Sequence, residues 1–416
     1  MTNLTARPGK PEGLRRGENP FPEVSVTALL GACCFFLATL EYMIPKPLPF
    51  IRLGLANMPL IVAVDMLPVN HFALLVFIKI LGQGLITGTL FSYVFMFSLA
   101  GTLASGTVMY LLGRGRGGGR IGFIGISTAG ALLSNGVQLA LARLFIFGEG
   151  VQFIAPPFLG LGLLTGIVLG LFCEIFTARS VWYRTCRGLP GRAAVLPAVP
   201  PRLPRPERDQ AAPLRGNSGG NRRMLFPGGD LLLAGFIMLT AFLFNPSTLT
   251  RGIQFLFFGL YARLTGKKIR PLFTLSIMAA VVFCNLLVPY GRILAEFGPF
   301  RLTQGSLLSG LHKAITLEGL FFLSRAVIGP DLRFPGRFGF FIGESFRLFE
   351  RLMEQKGRIT RTRFIEGIDA LLLALSVQEA PIPLGESGPP PKRTVPGVLL
   401  LAGAAACTLG LTLAVP

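Results

Sequence analysis

The chain has 416 residues, 51% of them hydrophobic and only 14% charged, with 40 Lys and Arg against 20 Asp and Glu for a net charge of +20. Soluble domains carry about 25% charged residues, so this balance, with a mean hydropathy of +0.61, excludes an ordinary soluble protein and indicates an integral membrane one. In that setting the excess of basic residues belongs to cytoplasmic loops and anionic lipid, not to nucleic acid.

Residues 1–23 form a polar tail with Arg7, Lys10, Arg15 and Arg16 ahead of the first apolar run. The tail resembles the basic start of a signal peptide, but no convincing small-residue cleavage site follows, so an uncleaved first helix is expected. A helix needs about 20 apolar residues to cross the hydrocarbon. Spans are expected at 24–44, 53–68 (short), 70–90, 91–112, 121–147 and 151–177, which together make a six-helix domain over 24–177.

The character changes at 178–227, where ten arginines, no lysine and recurrent prolines read as an extended linker on the membrane surface. The second block, 228–416, has weaker spans at 229–244, 251–265, 271–289 and 305–328. Phe340, Phe341, Phe346, Phe349 and Leu352 alternate there with Arg337, Arg347, Glu350 and Arg351, the pattern of an amphipathic helix at the cytoplasmic interface. A short apolar piece at 364–376, a Pro/Gly patch at 381–396 and a last apolar run complete the chain. The fold class is an all-α polytopic transmembrane bundle of six helices plus about five. Its N-terminus, the Arg114–Arg120 loop and the linker are cytoplasmic in the cell membrane.

Glu41, at the end of the first helix, begins the pattern Glu41-x-x-x-Pro45-x-Pro47-x-Pro49, followed by Arg52-Leu-Gly54-Leu-Ala-Asn57. Non-helical backbone at membrane depth is tolerated where it is buried in protein or lines a cavity. Pro45, Pro47, Pro49 and Gly54 are therefore read as a gating loop. Polar residues inside spans are functional candidates. Besides Glu41 and Asn57 the first block offers Asp65, Lys79, Gln83, Ser127, Asn135, Gln138 and Arg143. Asn135 and Gln138 are three apart, on one helical face. Their amides can bind a solute or bridge to a neighbouring helix. Substrate binding is assigned to Glu41, Asn57, Asn135 and Gln138.

Other chemistry finds no apparatus. The five aspartates are isolated, so no DDxxD motif is present to hold the magnesium of a prenyl diphosphate. There are only two histidines, and no Walker A sequence. The six cysteines form no CxxC pair and most sit in apolar runs, as buried thiols do. No catalytic residue, metal or cofactor is assigned.

The Glu41-to-Asn57 pattern, then Gly88-Thr-Leu-Phe-Ser92, Phe97-Ser-Leu-Ala-Gly101 with Ser105 and Met109, and Gly125-Ile-Ser-x-x-Gly-Ala131 with Asn135 and Gln138, resemble the Gx transporter family over 26–177. That family is also named heptaprenyl diphosphate synthase component I. Ser134 departs from the family, which commonly has histidine there. The resemblance implies two functions. One is a solute-binding bundle similar to the S components of energy-coupling-factor (ECF) transporters, with ECF-type ATPase subunits as partners. The other is a noncatalytic membrane subunit for isoprenoid synthesis, with a soluble prenyltransferase as partner. The second block resembles an ECF T component, although Gly357-Arg-Ile-Thr-Arg-Thr-Arg363 does not match that family's signature.

Overall fold

The first helix of the computed structural model, α1, runs from Glu23 to Met43. At 1.5 Å per residue its length is about 31 Å, enough to cross the hydrocarbon. Its hydroxyls turn back on their own backbone: Thr27 and Thr39 donate to the carbonyls of Glu23 and Phe35 at 2.7 and 2.9 Å. The structure describes residues 21–43, 53–114, 121–189, 228–245, 247–264, 271–297, 300–328, 336–355 and 364–378, and Gly410. Pro45, Pro47 and Pro49 lie outside them, as do most of the arginine linker and the last apolar run.

The chain re-enters at Leu53. Gly54 adopts φ 79°, a left-handed conformation that favours glycine, and one 3-10 turn over Leu55–Asn57 leads into α2, Met58–Ala63. The expected span at 53–68 is therefore corrected. Six helical residues cover about 9 Å, and the chain turns at Asp65 before Pro68 starts the next helix.

Four long segments follow: α3 (Val69–Thr87), α4 (Tyr93–Arg114), α5 (Phe123–Ala142) and α6 (Val151–Arg179). A π turn at Arg143–Phe147 extends α5. The α5–α6 contact is close because Gly162, Gly166 and Gly170, spaced four apart, place α6 backbone against α5. A Cβ on Gly166 would stand 2.9 Å from Thr128 Cα, and one on Gly170 2.9 Å from the Phe123 carbonyl oxygen.

The expected linker does not begin at 178. Helix α6 continues to Arg179, and a short α7 (Val181–Cys186) follows with Trp182 buried. An apolar indole and a cap from elsewhere in the chain hold these residues in helix. Asp369 accepts from the Ser180 hydroxyl, and from the backbone N–H groups of Val181 and Trp182 at 3.0 Å each.

In the second block α11 (Gln304–Val327) is the central post, packed on α8 (Gly228–Leu243), α9 (Thr248–Leu264) and α10 (Pro271–Leu286). An antiparallel hairpin of β1 (Ile293–Phe297) and β2 (Phe300–Thr303), absent from the expected all-helical layout, joins α10 to α11. The two blocks share a core in which Val281 and Ala314 pack with Ile146 and Phe147. Asn285 also donates to the Ile146 carbonyl at 3.0 Å, and the Phe91 N–H donates to Ser324 Oγ at 3.1 Å.

The amphipathic helix exists as α12 (Gly336–Gln355), followed by α13 (Phe364–Gln378). Its apolar face meets protein: the Phe346 and Phe35 rings lie 4.6 Å apart, and Gly31 of α1 makes room for Ser345. Outward-facing apolar side chains remain elsewhere, among them Leu164, Val168, Leu256, Leu260 and Leu272. On helices of this length they are a surface for lipid.

Candidate functional site

One cavity in the first block collects the polar residues of six segments. It has a volume of about 50 Å³, where one water needs about 10–15 Å³. Glu41, Asn57, Asn135 and Gln138 all line it, as does Gly54. Four positions far apart in sequence are thus brought to one chamber. Lys79 and Gln83 from α3, Thr102 from α4 and Ser127 from α5 join them.

Glu41 is buried, with 4% of its surface exposed. Its Oε1 accepts from the Leu53 N–H at 2.8 Å and its Oε2 from the Leu55 N–H at 3.0 Å. A carboxylate at the end of α1 thereby fastens the re-entering backbone on both sides of Gly54, fixing one wall of the cavity. Asn57 is drawn into that wall by the same turn. An asparagine before a helix ordinarily accepts from the second or third N–H. Here the second helical residue is Pro59, which has no N–H, and Asn57 makes no side-chain cap. Its Oδ1 is buried without a hydrogen-bond partner among the described residues.

Lys79, 5% exposed, donates to Thr102 Oγ1 at 2.7 Å and ties α3 to α4 at mid-helix. Gln83 sits one turn further along the same face, and its Oε1 is likewise buried and unpartnered. Lys79 and Gln83 stand among the polar residues of the expected spans but outside the four assigned from sequence to the site. Their four-residue spacing, matching that of a single helical face, is the signal that could have placed them there.

Asn135 and Gln138 make different hydrogen bonds, one between helices and one within α5. Asn135 Nδ2 donates to the Phe158 carbonyl of α6 at 3.2 Å, a bond between helices. Gln138 Nε2 donates to Ser134 Oγ at 2.9 Å. Glycines make the space: a Cβ on Gly162 would collide with the Asn135 amide, and one on Gly101 would sit 2.8 Å from Ser134 Oγ and 2.9 Å from Gln138 Nε2. The small residues of α4 and α6 therefore admit the amides that face the cavity.

A polar chain links the cavity wall to the C-terminal helices. Just past α2, Asp65 accepts from the Tyr183 hydroxyl at 3.1 Å and faces Arg187 at 3.6 Å. Burial, aided by the Asp65 carboxylate, pushes the Tyr183 phenol up to about 12, while Arg187 opposes the shift. On the same helix, burial pushes the Cys186 thiol up to about 12. Cys33, Cys34, Cys173, Cys186 and Cys284 are free thiols, and among the described residues no three His, Cys, Asp or Glu side chains gather as a metal site.

A helical bundle with apolar outer faces, four long apolar helical stretches and a polar chamber within it is a multi-pass membrane protein. Residues 30–176 match the family model described as heptaprenyl diphosphate synthase component I, so the likeness to the Gx transporter family holds for the N-terminal block. Residues 231–329 match a model described as Domain of unknown function (DUF8519), which assigns that block no role. No curated protein and no solved structure matches the chain.

Proposed function

We propose that the N-terminal bundle binds a small solute in the cavity between α1 and α6 and serves as the solute-binding component of a membrane transporter. The observation that carries this reading is the pair of buried, unpartnered amide oxygens, Asn57 Oδ1 and Gln83 Oε1, in a chamber several waters in size. A buried acceptor left without a donor costs about 1–3 kcal/mol, a cost that a bound solute removes. On this reading Asn57, Asn135 and Gln138 orient the solute, Glu41 holds the wall, and the second block couples solute binding to a partner such as an ECF-type ATPase. The bundle lies in the cell membrane with its N-terminus cytoplasmic, and it carries out no chemistry of its own.

The test is to purify the full chain in native lipid and identify small molecules released on denaturation. A compound retained by the wild type and lost from Asn57→Ala and Asn135→Ala supports the assignment. Equal retention by all three rejects it.

The likeness of residues 30–176 to heptaprenyl diphosphate synthase component I favours a second reading, a noncatalytic membrane subunit for polyprenyl diphosphate synthesis. Co-purification decides between the two: a soluble prenyltransferase as the stoichiometric partner supports the synthase subunit, and an ATPase pair supports the transporter.

A further inference from the structure

The chemistry of the cavity wall narrows the class of solute, given that the cavity is a solute site as proposed above. Asn57 Oδ1 and Gln83 Oε1 come from different elements, both line the chamber, and both are hydrogen-bond acceptors without a donor among the described residues. Of the other two amides in the lining, Asn135 Nδ2 gives one N–H to the Phe158 carbonyl and Gln138 Nε2 one to Ser134 Oγ. What sets this wall apart is the pair of orphan acceptors.

The lining also holds one acidic and one basic side chain, Glu41 and Lys79, so a solute with a net charge would enter without a matching surplus of opposite charge. The volume of about 50 Å³ admits only a few heavy atoms without rearrangement.

We propose that the cavity selects a small solute of no net charge, an amide, polyol or zwitterion, that presents at least two N–H or O–H donors to Asn57 Oδ1 and Gln83 Oε1. Apolar tails and diphosphates are excluded from this chamber by size and by the donor requirement. Acceptors buried without a protein donor among the described residues are a stability cost of the kind that binding sites carry.

The experiment uses the full chain in lipid nanodiscs and two probes of the same shape, acetamide and acetone, which differ in the N–H donors. Saturation-transfer NMR reads the methyl group of each at millimolar concentration. Acetamide is expected to bind the wild type more tightly than acetone, and to lose about tenfold in affinity with each of Asn57→Leu and Gln83→Met.

Thermal unfolding of the empty proteins supplies a readout independent of any probe. Gln83→Met, which replaces a lone buried acceptor with an apolar group of similar length, is expected to raise the midpoint. If both probes bind alike and both are displaced by a cavity-filling Ala131→Leu, the donor requirement is wrong while solute binding stands. If neither probe binds, both readings fall. A lowered midpoint in both Gln83→Met and Asn57→Leu would mean that the oxygens are already satisfied, and it would overturn the proposal.

Discussion

Glu41 does more for the backbone than for a solute. Its two oxygens take the N–H groups of Leu53 and Leu55 in a region with little water to replace them. Glu41→Ala is expected to cost about 2–6 kcal/mol, since two partly buried donors lose their acceptor at about 1–3 kcal/mol each. Glu41→Gln keeps one acceptor oxygen and should cost about half as much. Thermal unfolding of the purified variants checks both.

Tyr183 adds a pH signature at the same scale. Its phenol is raised to about 12 in the folded chain from an ordinary value of 10, so the folded state holds the proton after the unfolded state has lost it. That contribution is complete below about pH 10 and is lost as pH rises through about 12. The wild type should therefore lose more stability than Tyr183→Phe across that window, measured by unfolding midpoints at a series of pH values. Glu41, Asn57, Asn135 and Gln138 were legible in the sequence because polar residues are rare inside apolar spans. Their division of labour was not, because it depends on which donor each oxygen meets across elements 12 or more residues apart.

At the scale of elements, close packing of α5 on α6 sets the width of the chamber. Gly170 lies where a Cβ would come within 2.9 Å of the Phe123 carbonyl oxygen, and Gly160 lies where one would meet nothing within 4 Å. Gly170→Val should force the helices apart and lower the unfolding midpoint by several degrees. Gly160→Ala should be neutral or raise it, because alanine is favoured over glycine within a helix by up to about 1 kcal/mol. A cysteine pair across α5 and α6 that cross-links in the wild type should fail to do so in Gly170→Val.

Helix positions were readable from the length of apolar runs, and α8 to α11 fall close to the expected spans. The second span was overestimated because Asp65 and Pro68 end the helix inside an otherwise apolar stretch. The β1–β2 hairpin was missed because its strands are only five and four residues long, too short for alternation to register.

In the whole molecule, two attachments hold the C-terminal helices to the N-terminal bundle. One attachment is hydrophobic, with α12 lying on α1 through Phe35 and Phe346. The other is polar and concentrated in Asp369 of α13, which takes the Ser180 hydroxyl and the N–H groups of Val181 and Trp182, while the Trp182 indole donates to Ser376 Oγ at 2.8 Å. Amphipathic spacing in the sequence announced α12, yet nothing local to 364–378 signalled that one aspartate would cap a helix nearly 190 residues earlier.

The same α7 reaches Asp65 through Tyr183 and Arg187, so it stands between α13 and the loop that follows α2. Asp369→Ala strips three donors of their acceptor and should release α13 and α7 together, leaving the Phe35–Phe346 contact in place. The expected result is faster proteolytic cleavage after Arg184 and Arg187 with little change at α12, and Asp369→Asn, which keeps one acceptor oxygen, should be intermediate. If α7 transmits the state of the C-terminal helices to the cavity wall, Asp369→Ala must also weaken acetamide binding, although Asp369 is not among the residues that line the cavity. Unchanged binding alongside accelerated cleavage would make α7 an anchor alone.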